Sequence, residues 1–400
     1  TLYFNWSRTH FLVPFDSSQG LIDDRQQDIN SFANFGWHHL FSGDTLAADA
    51  GSDVFVGLFA RHGSLSYVSG SHDEPSFVFF PDTTLYNVDE DRSFDTYGAK
   101  VDYTVRSSHA LGFKFGALPS YTTGHELFQT TSADGSHGPV SNSDLTGHDI
   151  GVYAQTSIAP VEWFELRTGV RYDSHVAPFA GDQHQVSPRV RLNFFPDPAN
   201  TVYLYYGRLF VPTNIEDLRA ITSAADSGVV ESPTLPERDD FYEMGYIHRF
   251  PFGVVAKLSA YHKASSPGID DNTIPGSAIT TSVNIQHVRI TGVEAAFEVR
   301  PPGPVSGYVN FALNHAYGYG TITGGFFPSA PPQSDFDLDH DQRVSALASA
   351  VYSAHQFYLG ATGIYGSGLT NGLTPDPSDP SLPSYGTGLF DFDSGYKVDP

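Results

Sequence analysis

Apolar and polar residues alternate along residues 189–194, near the middle of the chain. The apolar members share one side of an extended chain and the charged members share the other: Val190, Leu192 and Phe194 against Arg189 and Arg191. Period two is the repeat of a β-strand, whose successive side chains point to opposite faces. Residues 196–200 (PDPAN) favour a turn, because each proline fixes φ and removes a ladder donor. Together with the apolar and aromatic run at 202–206, the pattern predicts a β-hairpin.

The same alternation is clearest along residues 163–173. Charges confined to one face of many strands are natural in a transmembrane β-barrel, where apolar side chains face lipid and polar ones face a wet lumen. An Arg or Lys facing lipid at the midplane costs about 2–4 kcal/mol. We therefore predict that seven apolar residues lie on the convex face: Phe164, Leu166, Val170, Tyr172, Val190, Leu192 and Phe194. Four arginines are predicted on the concave face: Arg167, Arg171, Arg189 and Arg191.

Connections between the predicted strands alternate in length along the chain. Short turns are predicted at 106–108, 159–162, 196–200, 250–253 and 300–304. Long loops are predicted at 69–91, 122–145, 174–185, 212–236 and 264–282. Outer-membrane barrels have short periplasmic turns and long extracellular loops. The sequence thus predicts an all-β fold, an antiparallel transmembrane β-barrel, with about 15 of a larger number of strands in one domain spanning residues 1–400.

Composition narrows the classes of function. The chain has no cysteine, which excludes disulfides and thiolate chemistry. Its formal net charge of −24 argues against a nucleic-acid partner, because phosphate binding needs a basic face. It has no run of 18 apolar residues, so no transmembrane helix is predicted. We interpret Thr1 and Pro400 as internal positions of a longer protein. We therefore expect an incomplete barrel wall whose edge strands lack partners.

Six segments, in this order, resemble the β-barrel domain of TonB-dependent outer-membrane receptors. They are Gly151–Asp173 (GVYAQTSIAPVEWFELRTGVRYD), residues 187–218 (SPRVRLNFFP through YYGRLFVPTNIEDL), Leu235–Tyr246 (LPERDDFYEMGY), Val288–Val299 (VRITGVEAAFEV), Leu338–Arg343 (LDHDQR) and Ile364–Gly372 (IYGSGLTNG). The resemblance is good from about residue 150 onward and looser before it. The plug domain, the short segment that contacts TonB and the terminal aromatic strand of such receptors have no counterpart in this sequence.

The resemblance implies a monomeric receptor in the outer membrane of a Gram-negative bacterium. Its expected partners are outer-membrane lipid, TonB and a small-molecule ligand, and no cofactor is expected. The implied function is TonB-energised uptake of a scarce, bulky nutrient such as an iron–siderophore complex. A passive porin-type channel would need the same barrel without a plug, and a secreted β-rich binding protein would pack the apolar faces against each other. The flanking sequence would separate these alternatives.

Polar wall residues near the outer rim are the candidate ligand contacts. The sequence places Arg171, Asp173, Arg189 and Glu243 there, with residues 214–219 of a loop above them. Ion pairing with one another or with a plug is the alternative role, and the sequence favours it. Glu243 and Glu294 together raise the possibility of glycoside hydrolysis, but paired barrel-wall charges explain them better, and no enzymatic activity is predicted.

Metal ligation is weakly indicated. Asp335, Asp337 and Asp339 have the spacing that opens a calcium loop, but the sixth position is His340 instead of glycine and the twelfth is Ala346 instead of glutamate. No metal site is therefore predicted from this segment. The chain has 17 histidines, among which His38 and His39 are adjacent and would point to opposite faces of a strand. His184, close to Asp182, is the one histidine pairing worth testing.

Overall fold

The computed structural model describes residues 1–12, 24–41, 51–70, 77–78, 84–108, 110–178, 180–214, 234–273, 279–300, 302–324, 335–369, 374–376 and 379–384. These residues form twenty β-strands: β1 (Leu2–Leu12), β2 (Arg25–Phe41), β3 (Gly51–Val68), β4 (Phe77–Val78), β5 (Leu85–Ser108), β6 (Leu111–Ser132), β7 (His137–Val161), β8 (Phe164–Ala177), β9 (Gly181–Asp197), β10 (Asn200–Val211), β11 (Glu237–Arg249), β12 (Val254–Ser265), β13 (Gly268–Thr273), β14 (Thr280–Val299), β15 (Val305–Gly324), β16 (Phe336–Asp337), β17 (Val344–Ala354), β18 (Phe357–Gly366), β19 (Thr374–Asp376) and β20 (Asp379–Ser384). Within these ranges there is no helix long and apolar enough to cross a membrane.

Fifteen long strands pair in chain order in one antiparallel sheet. The order is β1–β2–β3–β5–β6–β7–β8–β9–β10–β11–β12–β14–β15–β17–β18. The short strands β4, β13 and β16 add pairings to β5, β14 and β15, and β19 pairs with β20. Over the described residues, β1 pairs with β2 alone and β18 with β17 alone. The predicted all-β antiparallel architecture and the strand number are confirmed.

The register separates the side chains into an apolar face and a polar face. Leu166 lies opposite Leu192, which lies opposite Leu204 on the next strand. One residue further along, Arg167 lies opposite Arg191. Directly opposed residues share a face of the sheet, so the predicted segregation of apolar residues from arginines is confirmed.

Burial shows which face is concave. Side chains converge on the inside of a curved sheet and spread apart on its outside, so concave positions are the crowded ones. On the polar face Tyr203 is 1% exposed and Asn193 5%, whereas on the apolar face Leu258 is 53% and Met244 58% exposed. The apolar face is therefore convex, as predicted for a surface against lipid.

Two of the connections that were predicted to be long loops are short hairpin turns in the structure, so these two predictions are wrong. The connection predicted at 122–145 is a hairpin, in which β6 continues to Ser132 and β7 starts at His137. The connection predicted at 174–185 is also short, since β8 ends at Ala177 and β9 starts at Gly181. Ladder hydrogen bonds continue beyond the level of the membrane, where both faces meet water and apolar alternation is no longer needed. Periodicity therefore ends before the strands do.

The hairpin turn between β6 and β7 closes on an aspartate. Asp134 Oδ1 accepts hydrogen bonds from Ser132 Oγ at 2.6 Å and from the Ser136 backbone N–H at 2.9 Å. These hydrogen bonds lower the pKa of Asp134 to about 2. Gly135 has a φ of 80°, a left-handed conformation that favours glycine. Local side-chain bonds of this kind stabilise the turn at the outer end of two very long strands.

Small apolar clusters support the strand extensions at the end that carries the long connections. One cluster joins β14, β15 and β16 through five buried residues: Val283, Ile285, Val288, Ile322 and Phe336. A second contains Phe94, Leu145 and Ala177. The register places Leu145 opposite Gly124, which lies opposite Phe94. The wall is thus polar at mid-height and locally apolar beneath the long connections.

Candidate functional site

Three of the four predicted site residues are paired within the wall. Arg171 Nε donates a hydrogen bond to Asp173 Oδ1 at 2.7 Å. Glu243 Oε1 accepts hydrogen bonds from the Tyr203 hydroxyl and from Lys257 Nζ. All four residues lie near the middle of their strands, deeper in the wall than the outer rim where the sequence placed them.

The fourth, Arg189, differs from the other three. Across the described chain it has no carboxylate within ion-pairing distance. Its neighbours in the register are Gly169 on β8 and Gly207 on β10. Gly169 has no side chain, whereas the Tyr205 ring lies over Gly207. Arg189 and Tyr205 line a cavity on the concave side of the wall.

A tyrosine packed over a glycine recurs on the concave face. The Tyr203 ring lies where a Cβ on Gly245 would come within 2.4 Å of it, and the Arg191 guanidinium lies 4.0 Å from its centroid. Tyr153 covers Gly116 in the same way. Each tyrosine hydroxyl donates to a carboxylate that also contacts a lysine. The sequence analysis missed these units. They could be recognised from a glycine that lies directly opposite a tyrosine on the next strand, but this recognition requires knowledge of the strand register.

A basic cavity of about 430 Å³ lies on the same face, spanning strands β5 to β10. We call it the basic pocket, after its five cationic side chains: Arg106, Lys114, Arg167, Arg189 and Arg191. Hydroxyl and amide groups from Thr104, Gln155, Ser157 and Tyr205 also line it. Three of the arginines were predicted to face the lumen, but their meeting with Arg106 and Lys114 was not predicted.

Among the residues that the structure describes, two groups of side chains have the composition of a divalent-cation site. His315, Asp337 and Asp341 bring three ligand atoms within 4.8 Å of one another, and Arg343 pairs with both carboxylates there. The other group consists of Asp270, Asp339 and His340. Because Asp337 and Asp339 belong to different groups, the calcium-loop pattern of the sequence does not form. Arg343 supplies the charge that a metal would supply in the first group.

The second group lies at the end of the wall that carries the long connections, where β13 meets the segment after β16. Asp270 Oδ1 accepts a hydrogen bond from the Asp271 backbone N–H at 2.9 Å, while its Oδ2 is buried without a hydrogen-bond partner. Burial, and then the charge of Asp339, raise the pKa of Asp270 to about 6. The ordinary pKa of an aspartate in the unfolded chain is 3.8. Between pH 3.8 and about 6, Asp270 is therefore protonated in the folded protein and ionised in the unfolded chain.

Asp270→Asn is expected to stabilise the protein above pH 6. A raised carboxyl pKa makes the folded state lose stability as pH rises from about 4 to about 6. The variant should therefore exceed the wild type by about 1–3 kcal/mol at pH 7.5 and equal it near pH 4. Urea unfolding at both pH values measures this difference. A constant difference across pH would show that the charge of Asp270 is not the cause.

The remaining sequence-predicted candidates have separate positions. His38 pairs with Asp53, whereas the His39 ring stacks on Trp37, so the two adjacent histidines face opposite sides as predicted. Asp182 accepts a hydrogen bond from Ser174, and over the described residues it forms no ion pair with His184. The loop positions 215–219, named as candidate ligand contacts, lie outside the described residues.

The two glutamates weighed for catalysis occupy different strands. Glu243 lies on β11 and Glu294 on β14, with β12 between them. Ser259 on β12 lies directly opposite Glu294. Glu243 is already held by Tyr203 and Lys257. Glu243 thus has hydrogen-bond partners within the wall, as a residue with a structural role would.

The geometry agrees with comparisons to known proteins. The family model described as TonB dependent receptor-like, beta-barrel matches residues 2–400. A search of curated proteins gives no match. Three similar solved structures are the siderophore receptor PiuA from Acinetobacter baumannii, the copper transporter OprC, and the ferric yersiniabactin uptake receptor FyuA from Yersinia pestis.

These structures share the fold at low sequence identity. PiuA is 13% identical with a TM-score of 0.62, and the match covers 92% of this chain and 62% of PiuA. OprC is 13% identical with a TM-score of 0.59, and the match covers 86% of this chain and 52% of OprC. FyuA is 14% identical with a TM-score of 0.58, and the match covers 86% of this chain and 50% of FyuA. The chain thus spans 50–62% of the length of these proteins. It belongs to the TonB-dependent receptor family, whose β-barrel crosses the bacterial outer membrane.

Proposed function

We propose that the full protein imports a scarce, bulky nutrient, such as an iron chelate, across the outer membrane with energy from TonB. The observation that carries the proposal is the family match over residues 2–400. PiuA is a siderophore receptor and FyuA is a ferric yersiniabactin uptake receptor, which supports an iron chelate as the nutrient. OprC is a copper transporter, so metal uptake is the theme that the three proteins share.

Within this function the wall residues divide into two roles. Arg171, Asp173 and Glu243 hold the wall together through their ion pairs and hydrogen bonds. Arg189 is the wall residue that meets the ligand, since its guanidinium faces the basic pocket. An ion pair within the wall already provides each charge with a partner, so that charge has little left to offer a ligand.

Uptake of radioactive iron chelates by cells expressing the full-length protein tests this proposal. We expect accumulation to require TonB and the proton-motive force, and to stop when either is removed. A matched strain that lacks this protein but retains TonB controls for other receptors. Entry that persists without TonB and rises linearly with external concentration would instead identify a passive channel.

A further inference from the structure

One histidine and two aspartates from separate segments converge at the end of the wall that carries the long connections. They are Asp270 on β13 and the adjacent pair Asp339 and His340 after β16. Each side chain offers one ligand atom, and the three atoms lie within 4.8 Å of one another. Asp339 Oδ1 lies 2.5 Å from His340 Nδ1, so these two neighbours turn toward each other. The group thus has the ligand types and the spacing that a metal ion needs.

A hydrogen-bonded turn holds Asp339 and His340 in place. The Asp341 backbone N–H donates to the Leu338 carbonyl oxygen at 2.9 Å, which makes Asp339 and His340 the two central residues of the turn. The Leu338 N–H donates to the Ala316 carbonyl oxygen at 3.1 Å, and the Ala316 N–H donates to Asp341 Oδ1 at 3.0 Å. Both ends of the turn are therefore fixed to β15. Adjacent residues on a strand would point to opposite faces, whereas in this turn they converge.

An apolar cluster brings β13 against the same segment. Asp270 lies opposite Val283 in the register, so the two side chains share a face of the sheet. Val283 is fully buried in the cluster that contains Phe336, and Leu338 packs against that cluster. Asp270 is thus held beside the residues that lead into the turn. The three ligands are positioned by packing and backbone hydrogen bonds before any ion binds.

The Asp270 carboxylate lacks a counter-charge. Its Oδ2 atom is buried without a hydrogen-bond partner, while Oδ1 accepts only the Asp271 backbone N–H. Over the residues that the structure describes, no arginine or lysine lies within ion-pairing distance of Asp270 or Asp339. Buried polar atoms are normally paired, and each exception calls for a physical explanation. A cation bound between the two carboxylates would provide one.

The neighbouring group shows how the same ligand types look when they are neutralised by the protein. His315 Nε2 lies 2.9 Å from Asp337 Oδ1. Arg343 contacts Asp341 and also Asp337, where Nη2 lies 2.6 Å from Oδ2. Both groups consist of one imidazole and two carboxylates, but an arginine fills the first. At Asp270 a divalent cation would take the place that Arg343 takes there.

We propose that Asp270, Asp339 and His340 bind a divalent first-row transition-metal ion such as Zn²⁺. Imidazole suits Zn²⁺, Cu²⁺, Fe²⁺ and Ni²⁺, whereas Ca²⁺ and Mg²⁺ prefer oxygen ligands alone. Two carboxylates and a neutral imidazole together balance the charge of the ion. Three protein ligands leave a coordination position for water.

The bound ion would join β13 to the turn after β16. It thereby crosslinks two connections at the outer end of the wall, and an ion that binds only the folded state stabilises that state. This role is structural and does not depend on which nutrient is imported. The site would remain if TonB-dependent import were disproved.

Calorimetric titration of the purified, untagged full-length protein with Zn²⁺, after removal of metals with a chelator, tests the proposal. We expect a site whose dissociation constant rises at least ten- to hundredfold in Asp270→Asn and in His340→Gln, because outer-shell partners alone have effects of that size. Ca²⁺ should bind more weakly than Zn²⁺. Saturating Zn²⁺ should raise the urea midpoint of the wild type but not of either variant.

Loss of folding would not explain the expected loss of binding. In metal-free buffer Asp270→Asn is expected to be more stable than the wild type above pH 6, for the reason given above. The His340 side chain is 77% exposed, so its replacement removes little packing. Urea unfolding of both variants without metal verifies this.

His125→Gln is the matched control. His125 is exposed and pairs with a single carboxylate, with Nδ1 at 2.9 Å from Asp144 Oδ1, and it belongs to neither three-ligand group. The variant therefore removes a histidine beside an aspartate without removing a third ligand. Its affinity for Zn²⁺ should equal that of the wild type.

Several results would overturn the proposal. Zn²⁺ affinity that is unchanged in Asp270→Asn or in His340→Gln would place the ion elsewhere, and a wild type that binds no Zn²⁺ would remove the site. Equal losses in His125→Gln and His340→Gln would show adventitious binding to surface histidines. Ca²⁺ that binds more tightly than Zn²⁺ and is unaffected by His340→Gln would contradict the role of the imidazole and the class of metal.

Discussion

Leu258→Lys is expected to destabilise the barrel by about 2–4 kcal/mol, the penalty for a cation at the lipid-facing midplane. Leu258 is the fifth residue of β12 and lies between Tyr246 and Ala295 in an apolar row of the convex face. A strand needs about 9–11 residues to cross the membrane, so this position is close to the centre. Urea unfolding of the full-length protein in lipid vesicles measures the difference.

Asn310→Lys is the matched control, with the same added charge on the opposite face. Asn310 lies opposite Ala296, which lies opposite Lys257, so it shares a row with a lysine that the wall already contains. We expect a change of less than about 1 kcal/mol there, because lumen-facing charges are solvated. Equal destabilisation by the two substitutions would contradict the assignment of the convex face to lipid.

Gly245→Ala is expected to destabilise the wall by about 1–3 kcal/mol, the usual range for overpacking. The new methyl would overlap the Tyr203 ring, which is 1% exposed and cannot move freely beneath the Arg191 guanidinium. Displacing the ring would also break the hydrogen bond from the Tyr203 hydroxyl to Glu243. Chemical denaturation reports the loss.

Gly363→Ala tests whether any alanine in place of a strand glycine has this effect. Gly363 lies in β18, and a Cβ there meets no atom within 4 Å. Replacing a strand glycine without a clash usually stabilises a protein, because the unfolded chain loses conformational freedom. Destabilisation of similar size at both positions would show that the Tyr203 contact is not the cause.

The sequence predicted the facing of residues in 164–172 and 189–194, where β8 and β9 lie within the membrane. There a charged residue on the wrong face is severely penalised, so Leu166 and Arg167 could not exchange places and the pattern is strict. Outside the membrane the same strands continue without that penalty. The segment 122–145 therefore lacks regular apolar alternation, and the sequence predicts a loop there, although β6 and β7 pair along most of it.

The side-chain contacts within the wall could not be predicted from the sequence, because they join strands that are far apart along the chain. Arg106 and Arg189 come from β5 and β9, and only the registers of the intervening pairs bring them to one pocket. Tyr203 meets Gly245 through the β10–β11 register. Alternation shows which face a residue occupies but not its height, and height decides which side chains meet. The predicted rim position of Arg171 and Glu243 was incorrect for the same reason.

Single cysteines along β8 would test the central claim most directly, because the chain has no cysteine of its own. Spin labels at positions 166, 167, 170, 171 and 172 of the full-length protein in lipid vesicles would be relaxed by oxygen, which dissolves in lipid, or by a water-soluble nickel complex. We predict that oxygen acts on the labels replacing Leu166, Val170 and Tyr172, and that nickel acts on those replacing Arg167 and Arg171. Equal accessibility at all five positions, or the reverse pattern, would contradict a barrel wall with its apolar face in lipid.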